Sequence, residues 1–209
     1  DFSGAEDSAA VFSDSSQPAE HNFLFASAAA GIGVINFNSS GNTDAFKYNV
    51  LEKLKEGIMI AASSGAGGSS SVVGNTVVNS VVGFRLTDAN IIMSVKNHAA
   101  KGSTAVGVDC TATSMSHLTT DYNTIDPPID ADFIPGANDL VAGDAALDAF
   151  YFPTAAGNCD GNGDTTLEDF IGDSDPWGYV RVYKASRVSR GARDIPAIHA
   201  SAYLQPDLF

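Results

Sequence analysis

The chain is poor in basic charge, in cysteine and in long apolar runs, and each shortage excludes something. Eleven Lys and Arg stand against 25 Asp and Glu, a formal net charge of −14 over 209 residues. Nucleic acid and anionic membrane are therefore poor partners for it. No run of about 18 apolar residues occurs, so no segment is expected to insert into a membrane. No signal-peptide pattern is seen either, as in a mature exported chain or in a soluble protein that never carried one. The two cysteines, Cys110 and Cys159, do not form CxxC, which removes metal-thiolate and thioredoxin-like readings. The four histidines, His21, His98, His117 and His199, are far apart and show no metal-ligand spacing. Neither GxSxG nor HExxH is present. With no catalytic motif, the chain reads as a non-enzyme.

Apolar residues make up 44% of the chain, enough to build a core. Charged residues are few, and Ser, Thr, Asn, Ala and Gly fill the remainder, a composition that suits an extracellular β-rich protein. Two isolated cysteines in such a chain most simply form one disulfide, Cys110–Cys159, with two buried thiols as the alternative. A loop of that length would stabilise the fold by roughly 4 kcal/mol in the chain-entropy view.

Residues 1–20 are polar and read as an extended N-terminal arm, and residues 21–209 as a single α+β domain. Phe23, Phe25, Ile32, Val34, Ile35 and Phe37 suggest two short strands. Thr43 is a helix cap, and Phe46, Val50, Leu51, Leu54 and Ile58 follow helical spacing. That predicts one amphipathic helix, ended near Gly57. Ser63–Ser71 is loop composition without the Gly-Lys-Ser/Thr ending of a phosphate cradle. From Val72 to Val108, alternating apolar residues separated by Asp88-Ala89-Asn90 and Asn97–Gly102 predict an antiparallel meander. Phe150–Phe152 and Tyr179–Tyr183 read as further strands, and Asn38-Ser39-Ser40 is a formal glycosylation sequon. No internal repeat is read. The expected fold is thus a mostly antiparallel β-sheet with one helix and long acidic loops.

Gly102–Val180 holds fourteen acidic residues and no Lys or Arg. Such a run repels itself unless a cation neutralises it. Within it, Asp160, Asn162 and Asp164 place three oxygen ligands at alternate positions, with Gly161 and Gly163 between them. Calcium needs six to eight such oxygens. The spacing resembles the first half of an EF-hand or dockerin loop. Thr165 and Ile171 depart from that pattern, so Glu168, Asp169 or Asp173 would complete the shell. An Asx-rich turn without an ion is the alternative.

Further on, Asp175-Pro176-Trp177-Gly178 followed by a strand resembles a run in the C-terminal part of type II secretion major pseudopilins, within the type IV pilin superfamily. The resemblance implies a helix packed on an antiparallel sheet, a calcium-stabilised loop and assembly into a filament. A pilin starts with a long hydrophobic helix, whereas this chain starts Asp1-Phe2-Ser3-Gly4-Ala5-Glu6. The resemblance then implies a soluble head whose partner is itself or a separate, helix-bearing pilin subunit. The alternative for the four residues is a plain turn.

After the acidic stretch the charge reverses. Arg181, Lys184, Arg187, Arg190 and Arg193 fall at three-residue intervals, a period of neither helix nor strand. They are candidates for subunit contact, docking on the acidic stretch of the same or an adjacent chain. A solvated edge strand is the alternative. The expected function is an extracellular, calcium-stabilised structural subunit of a cell-surface filament. The other reading is a monomeric, calcium-stabilised carbohydrate- or protein-binding module of a secreted or cell-surface protein, with Tyr122, Tyr151, Trp177 and Tyr179 as its aromatic platform.

Overall fold

The chain turns a corner wherever a residue with left-handed backbone precedes one particular asparagine position. The computed structural model describes residues 9–13, 19–25, 32–36, 43–60, 68–86, 91–125, 128–141, 145–154, 157–159, 162–164, 166 and 190–192. The first coil carries β1 (Ala9–Ser13), β2 (Ala19–Glu20) and β3 (Phe23–Phe25). The second carries β4 (Ile32–Asn36), β5 (Thr43–Lys47) and β6 (Val50–Glu52). The third carries β7 (Glu56–Ile60), β8 (Gly68–Val73) and β9 (Thr76–Val78). The fourth carries β10 (Val82–Leu86), β11 (Ile91–Lys96) and β12 (Ala99–Lys101). The fifth carries β13 (Val106–Cys110), the short helix α1 (Ala112–Met115), β14 (Leu118–Asp121) and β15 (Thr124–Ile125). A last strand, β16 (Leu140–Val141), pairs with β15.

Strands of successive coils stack into three sheets: sheet A is β1-β4-β7-β10-β13, sheet B is β14-β11-β8-β5-β2, and sheet C is β16-β15-β12-β9-β6-β3. Every pairing of these strands is parallel, so the fold is a parallel β-solenoid. This overturns the expected α+β domain with an antiparallel sheet and one amphipathic helix. In the five coils each strand pairs with the strand one coil away, not with its sequence neighbour; β16, which pairs with β15, is the exception. The helix-on-antiparallel-sheet architecture implied by the pilin resemblance is therefore not the architecture of the described residues. Residues 9–13 and 19–20, expected in a polar arm, are strands of the first coil.

The misread helix has a physical explanation. Tyr48 (φ 56°) and Lys53 (φ 56°) are left-handed corners, five residues apart around the three-residue strand β6. Two tight corners around one short strand bring Phe46, Leu51, Leu54 and Ile58 into the same interior, where all four are fully buried. Their sequence spacing matches that of a helix face, so periodicity alone cannot separate the two.

The interior is one stack of side chains from all three sheets. It includes Phe46 and Val72 from sheet B, Leu51 and Val77 from sheet C, and Ile58, Phe84 and Val108 from sheet A. Segment 128–139 closes one end of it. Gly107 N donates to Pro128 O at 2.7 Å and Asp130 N to Val108 O at 3.2 Å, covering the β13 edge. Phe133 enters the core beneath them.

Register places Gly83 between Gly57 and Gly107 in sheet A. A Cβ on Gly83 would lie 2.4 Å from the Gly107 carbonyl oxygen, a backbone atom that moves only if the coils separate. Gly83→Ala is expected to destabilise the protein by about 2–3 kcal/mol, read from denaturant midpoints. A midpoint equal to wild type would mean that the coils are not packed this closely.

Candidate functional site

The corner between sheets B and C repeats in all five coils. Its left-handed residues are His21, Tyr48, Gly74, Asn97 and Tyr122. Each precedes a ladder residue: Asn22, Asn49, Asn75, His98 and Asn123. Asn22 N and Nδ2 donate to Asn49 Oδ1 at 3.0 and 2.9 Å. Asn49 N and Nδ2 donate to Asn75 Oδ1 at 2.9 and 2.8 Å. His98 N donates to Asn123 Oδ1 at 2.9 Å. At the closed end Asn123 N and Nδ2 donate to Asp139 Oδ1 at 2.8 and 2.9 Å. The other Asp139 oxygen accepts from Gly136 N at 2.8 Å and from the Thr120 hydroxyl. A carboxylate only accepts, so Asp139 ends the ladder, and its hydrogen bonds commit it to holding the cap.

His98 interrupts the ladder. Its ring is buried, with neither nitrogen hydrogen-bonded. It lines a cavity of about 10 Å³ with Phe84, Val95, Val108, Leu118, Thr120, Asn123, Ile125 and Phe133. Burial lowers its pKa from 6.5 to about 4, because nothing nearby solvates a charge.

A strap crosses the outer face of sheet C. Arg190, only 4% exposed, donates from Nε to Asn162 O (2.9 Å) and from one terminal nitrogen to Asn123 O (2.7 Å) and Thr124 Oγ1 (3.2 Å). The other terminal nitrogen donates to Asn138 O at 2.9 Å. Gly191 N donates to Asn97 O at 2.6 Å and Ala192 N to Thr76 Oγ1 at 2.7 Å. Burial lowers the Arg190 pKa, partly opposed by Cys159, Asp139 and Asp121, and the group stays charged. Arg190 thus does dock within its own chain, but on carbonyls rather than carboxylates. Arg181, Lys184, Arg187 and Arg193 lie outside the described residues.

The strap pins the acidic loop. Asp164 N donates to Asn97 Oδ1 (2.6 Å), and Asn97 Nδ2 donates to Asp164 O (3.0 Å). Asp164 Oδ1 accepts from Thr166 N and Oγ1, and Oδ2 lies 3.6 Å from Lys96 Nζ. Burial would raise the Asp164 pKa, but the Thr166 hydrogen bonds and the Lys96 ammonium outweigh it and hold the carboxyl below its ordinary value. The Asn162 carbonyl faces Arg190, and its amide donates to Asn158 O at 3.3 Å. Of the expected calcium ligands, the Asp164 carboxylate is thus engaged by Thr166 and Lys96, and Asn162 by Arg190 at its main-chain carbonyl. Asp160, Glu168, Asp169 and Asp173 lie outside the described residues, among which no group of three or more metal-ligating side chains occurs.

No disulfide joins Cys110 to Cys159, contrary to expectation; both are buried thiols. Cys110 packs in the solenoid core, while Cys159 packs with Ala99 and Ala145 beneath the strap. Sheet C stands between these clusters, so the two cysteines do not meet. Burial, then Asp130, Asp132 and Asp109, push the Cys110 thiol up to about 11.

Two of the aromatic candidates, Tyr122 and Tyr151, are described, and they sit in different surroundings. Tyr151 donates to Glu52 Oε2 at 2.5 Å and its ring lies 5.6 Å from that of Phe23. Burial and the Glu52 carboxylate raise its pKa. Tyr122 borders an open cleft of about 520 Å³ with Asn138, Asp139, Leu140, Asn162 and Arg190. Trp177, Tyr179 and the Asp175–Gly178 run lie outside the described residues. In sheet A, Arg85 bridges Glu56 (2.5 Å) and Asp109 (2.8 Å).

Sequence reasoning missed the ladder, His98, Asp139 and the anchoring role of Arg190. A signal was available. Asn49, Asn75, His98 and Asn123 recur every 23–26 residues, in step with Gly33, Gly57, Gly83 and Gly107.

No protein-family model matches the chain, and neither the curated proteins nor the solved structures contain a significant match to it.

Proposed function

We propose that the chain is an extracellular structural subunit that assembles end to end into a surface filament. The observation that carries this reading is the one-dimensional architecture: all three sheets are built by stacking coils along one axis. In such a stack each coil contacts only its neighbours, so growth along the axis needs no new type of contact. The composition supports an exported protein, and the net charge of −14 keeps filaments from bundling laterally. The filament reading does not depend on calcium: the one described carboxylate of the candidate loop, Asp164, is met by Lys96 and Thr166.

Negative-stain microscopy and sedimentation of the purified chain, with and without a calcium chelator, test the reading. Filaments one solenoid wide are expected in both conditions. Monomers at high concentration would contradict it, and would make the Tyr122 cleft the feature to screen with oligosaccharides.

A further inference from the structure

The sequence holds one Asn-Gly pair, Asn162-Gly163, and the fold sets it at the surface beside the buried anchor of the strap. Asn162 is exposed. Its side-chain amide is held loosely, by one hydrogen bond of 3.3 Å to Asn158 O. Its main-chain carbonyl is held better, accepting from Arg190 Nε at 2.9 Å. Among the described residues no acceptor takes the Gly163 N–H. Gly163 has no Cβ to hinder the approach of its nitrogen to the Asn162 side chain.

Such a pair can rearrange without any partner but water. Gly163 N attacks Asn162 Cγ and forms a C–N bond. The Cγ–Nδ2 bond breaks, and ammonia leaves with the Gly163 proton. The product is a five-membered imide with two carbonyls, one at Cγ and one at the former main-chain carbon. Water then opens the ring. Attack at Cγ gives an ordinary aspartate. Attack at the main-chain carbon breaks its bond to Gly163 N and routes the chain through Cγ. That carbon is left as a free carboxylate, and the residue is an isoaspartate. The net exchange is one water in and one ammonia out, with nothing oxidised or reduced.

The two openings are not equivalent in this fold. Arg190 Nε donates to the main-chain oxygen, and a cationic donor stabilises the negative charge that grows there as water adds. The same carbon becomes the carboxylate, so the new charge is left facing Arg190. That guanidinium is 4% exposed, and its other acceptors are two carbonyls and a hydroxyl, all neutral. A carboxylate in place of the Asn162 carbonyl turns a contact with a dipole into an ion pair.

We infer that Asn162-Gly163 is a self-modification site: the folded chain rearranges there to isoaspartate under the direction of Arg190, and the new carboxylate locks the strap onto sheet C. Loss of ammonia makes the step one-way. The site needs no assembly and stands apart from the filament reading.

The test incubates the purified chain at mildly alkaline pH and maps it by digestion and mass spectrometry, with fragmentation that separates isoaspartate from aspartate. Wild type is compared with the same chain in urea, with Arg190→Met and with Gly163→Ala. The ratio of isoaspartate to aspartate at position 162 should be about tenfold higher in the folded chain than in urea, the effect of one charge-assisted hydrogen bond on a barrier. Arg190→Met should fall to the ratio seen in urea, and Gly163→Ala should yield almost no product. Protection of Cys110, which packs in the solenoid core, reports that each variant is folded. Thiol labelling of Cys159, beneath the strap, should be several-fold slower in incubated than in fresh wild type, with no such gain in Arg190→Met. An unmodified Asn162 in the folded chain, under conditions that convert it in urea, overturns the site. Equal ratios in the folded chain and in urea overturn the role of Arg190. Faster labelling of Cys159 after conversion overturns the lock.

Discussion

Replacing Arg190 by Met is expected to destabilise the protein by about 3 kcal/mol and to release the strap from sheet C. The guanidinium reaches three carbonyls and one hydroxyl from a buried position. Water can reach Asn138 and Asn162, which are exposed, once the side chain is gone. It cannot easily reach Asn123 O or Thr124 Oγ1, whose residues are buried. A buried acceptor without a donor costs about 1–3 kcal/mol, and the bonds to a charged donor are lost as well. Arg190→Lys should recover only part of the loss, because an ammonium is a point donor and does not span three carbonyls. Thiol labelling gives a local readout. Cys159 lies under the strap and Arg190 N donates to its carbonyl at 2.9 Å. In Arg190→Met, Cys159 should label at least tenfold faster than in wild type, while Cys110, in the solenoid core, labels only on global unfolding. Equal rates at Cys159 in both proteins would mean that Arg190 does not hold the strap.

Acidification from pH 7 to pH 4 should remove up to about 3 kcal/mol of stability through His98 alone. Its pKa falls from 6.5 to about 4 on folding, and each unit is worth about 1.4 kcal/mol. The folded state holds the ring neutral, so between these values the unfolded chain binds more protons. Stability is therefore full above pH 6.5 and is lost as pH falls toward 4. The residues lining the cavity around the ring carry no titratable side chain, so no described neighbour offsets the charge. Asp164, held below its ordinary 3.8, loses its contribution only as pH falls past that value, outside this window. His98→Asn should flatten the curve between pH 6.5 and 4. At pH 7 the same variant should be more stable by about 1 kcal/mol. It supplies the missing ladder amide and removes two unbonded buried nitrogens, each costing about 1–3 kcal/mol, against about 1 kcal/mol for the larger void. An unchanged pH profile in His98→Asn would show that the ring is solvated in the folded protein.

Part of this was legible in the sequence. The alternating residues between Val72 and Val108 read as strands, and β10, β11 and the first part of β13 lie there. Their partners were not legible, because hydrophobic alternation reports a buried face and not the direction of the neighbouring strand. Parallel pairing depends on the chain returning after about one coil, and the coil shows only as weak spacing of Asn and Gly. Asn is common in surface turns, so a buried Asn column looks like loop composition until the corners are placed. The strap was harder still. Arg190 was noticed for its charge, but its acceptors are main-chain oxygens, which no side-chain pattern marks. The two cysteines gave no clue to their placement, because sequence spacing does not say on which side of a sheet each one packs.

The central claim is that subunits continue the solenoid along its own axis. X-ray fibre diffraction from aligned assemblies tests it most directly. Strands lie across the axis in such a stack, so the account predicts a strong meridional reflection near 4.8 Å. It also predicts an axial subunit repeat of roughly 29 Å, from the six strands of sheet C at about 4.8 Å each. A 4.8 Å reflection on the equator, or a subunit repeat unrelated to the coil count, would contradict end-to-end stacking.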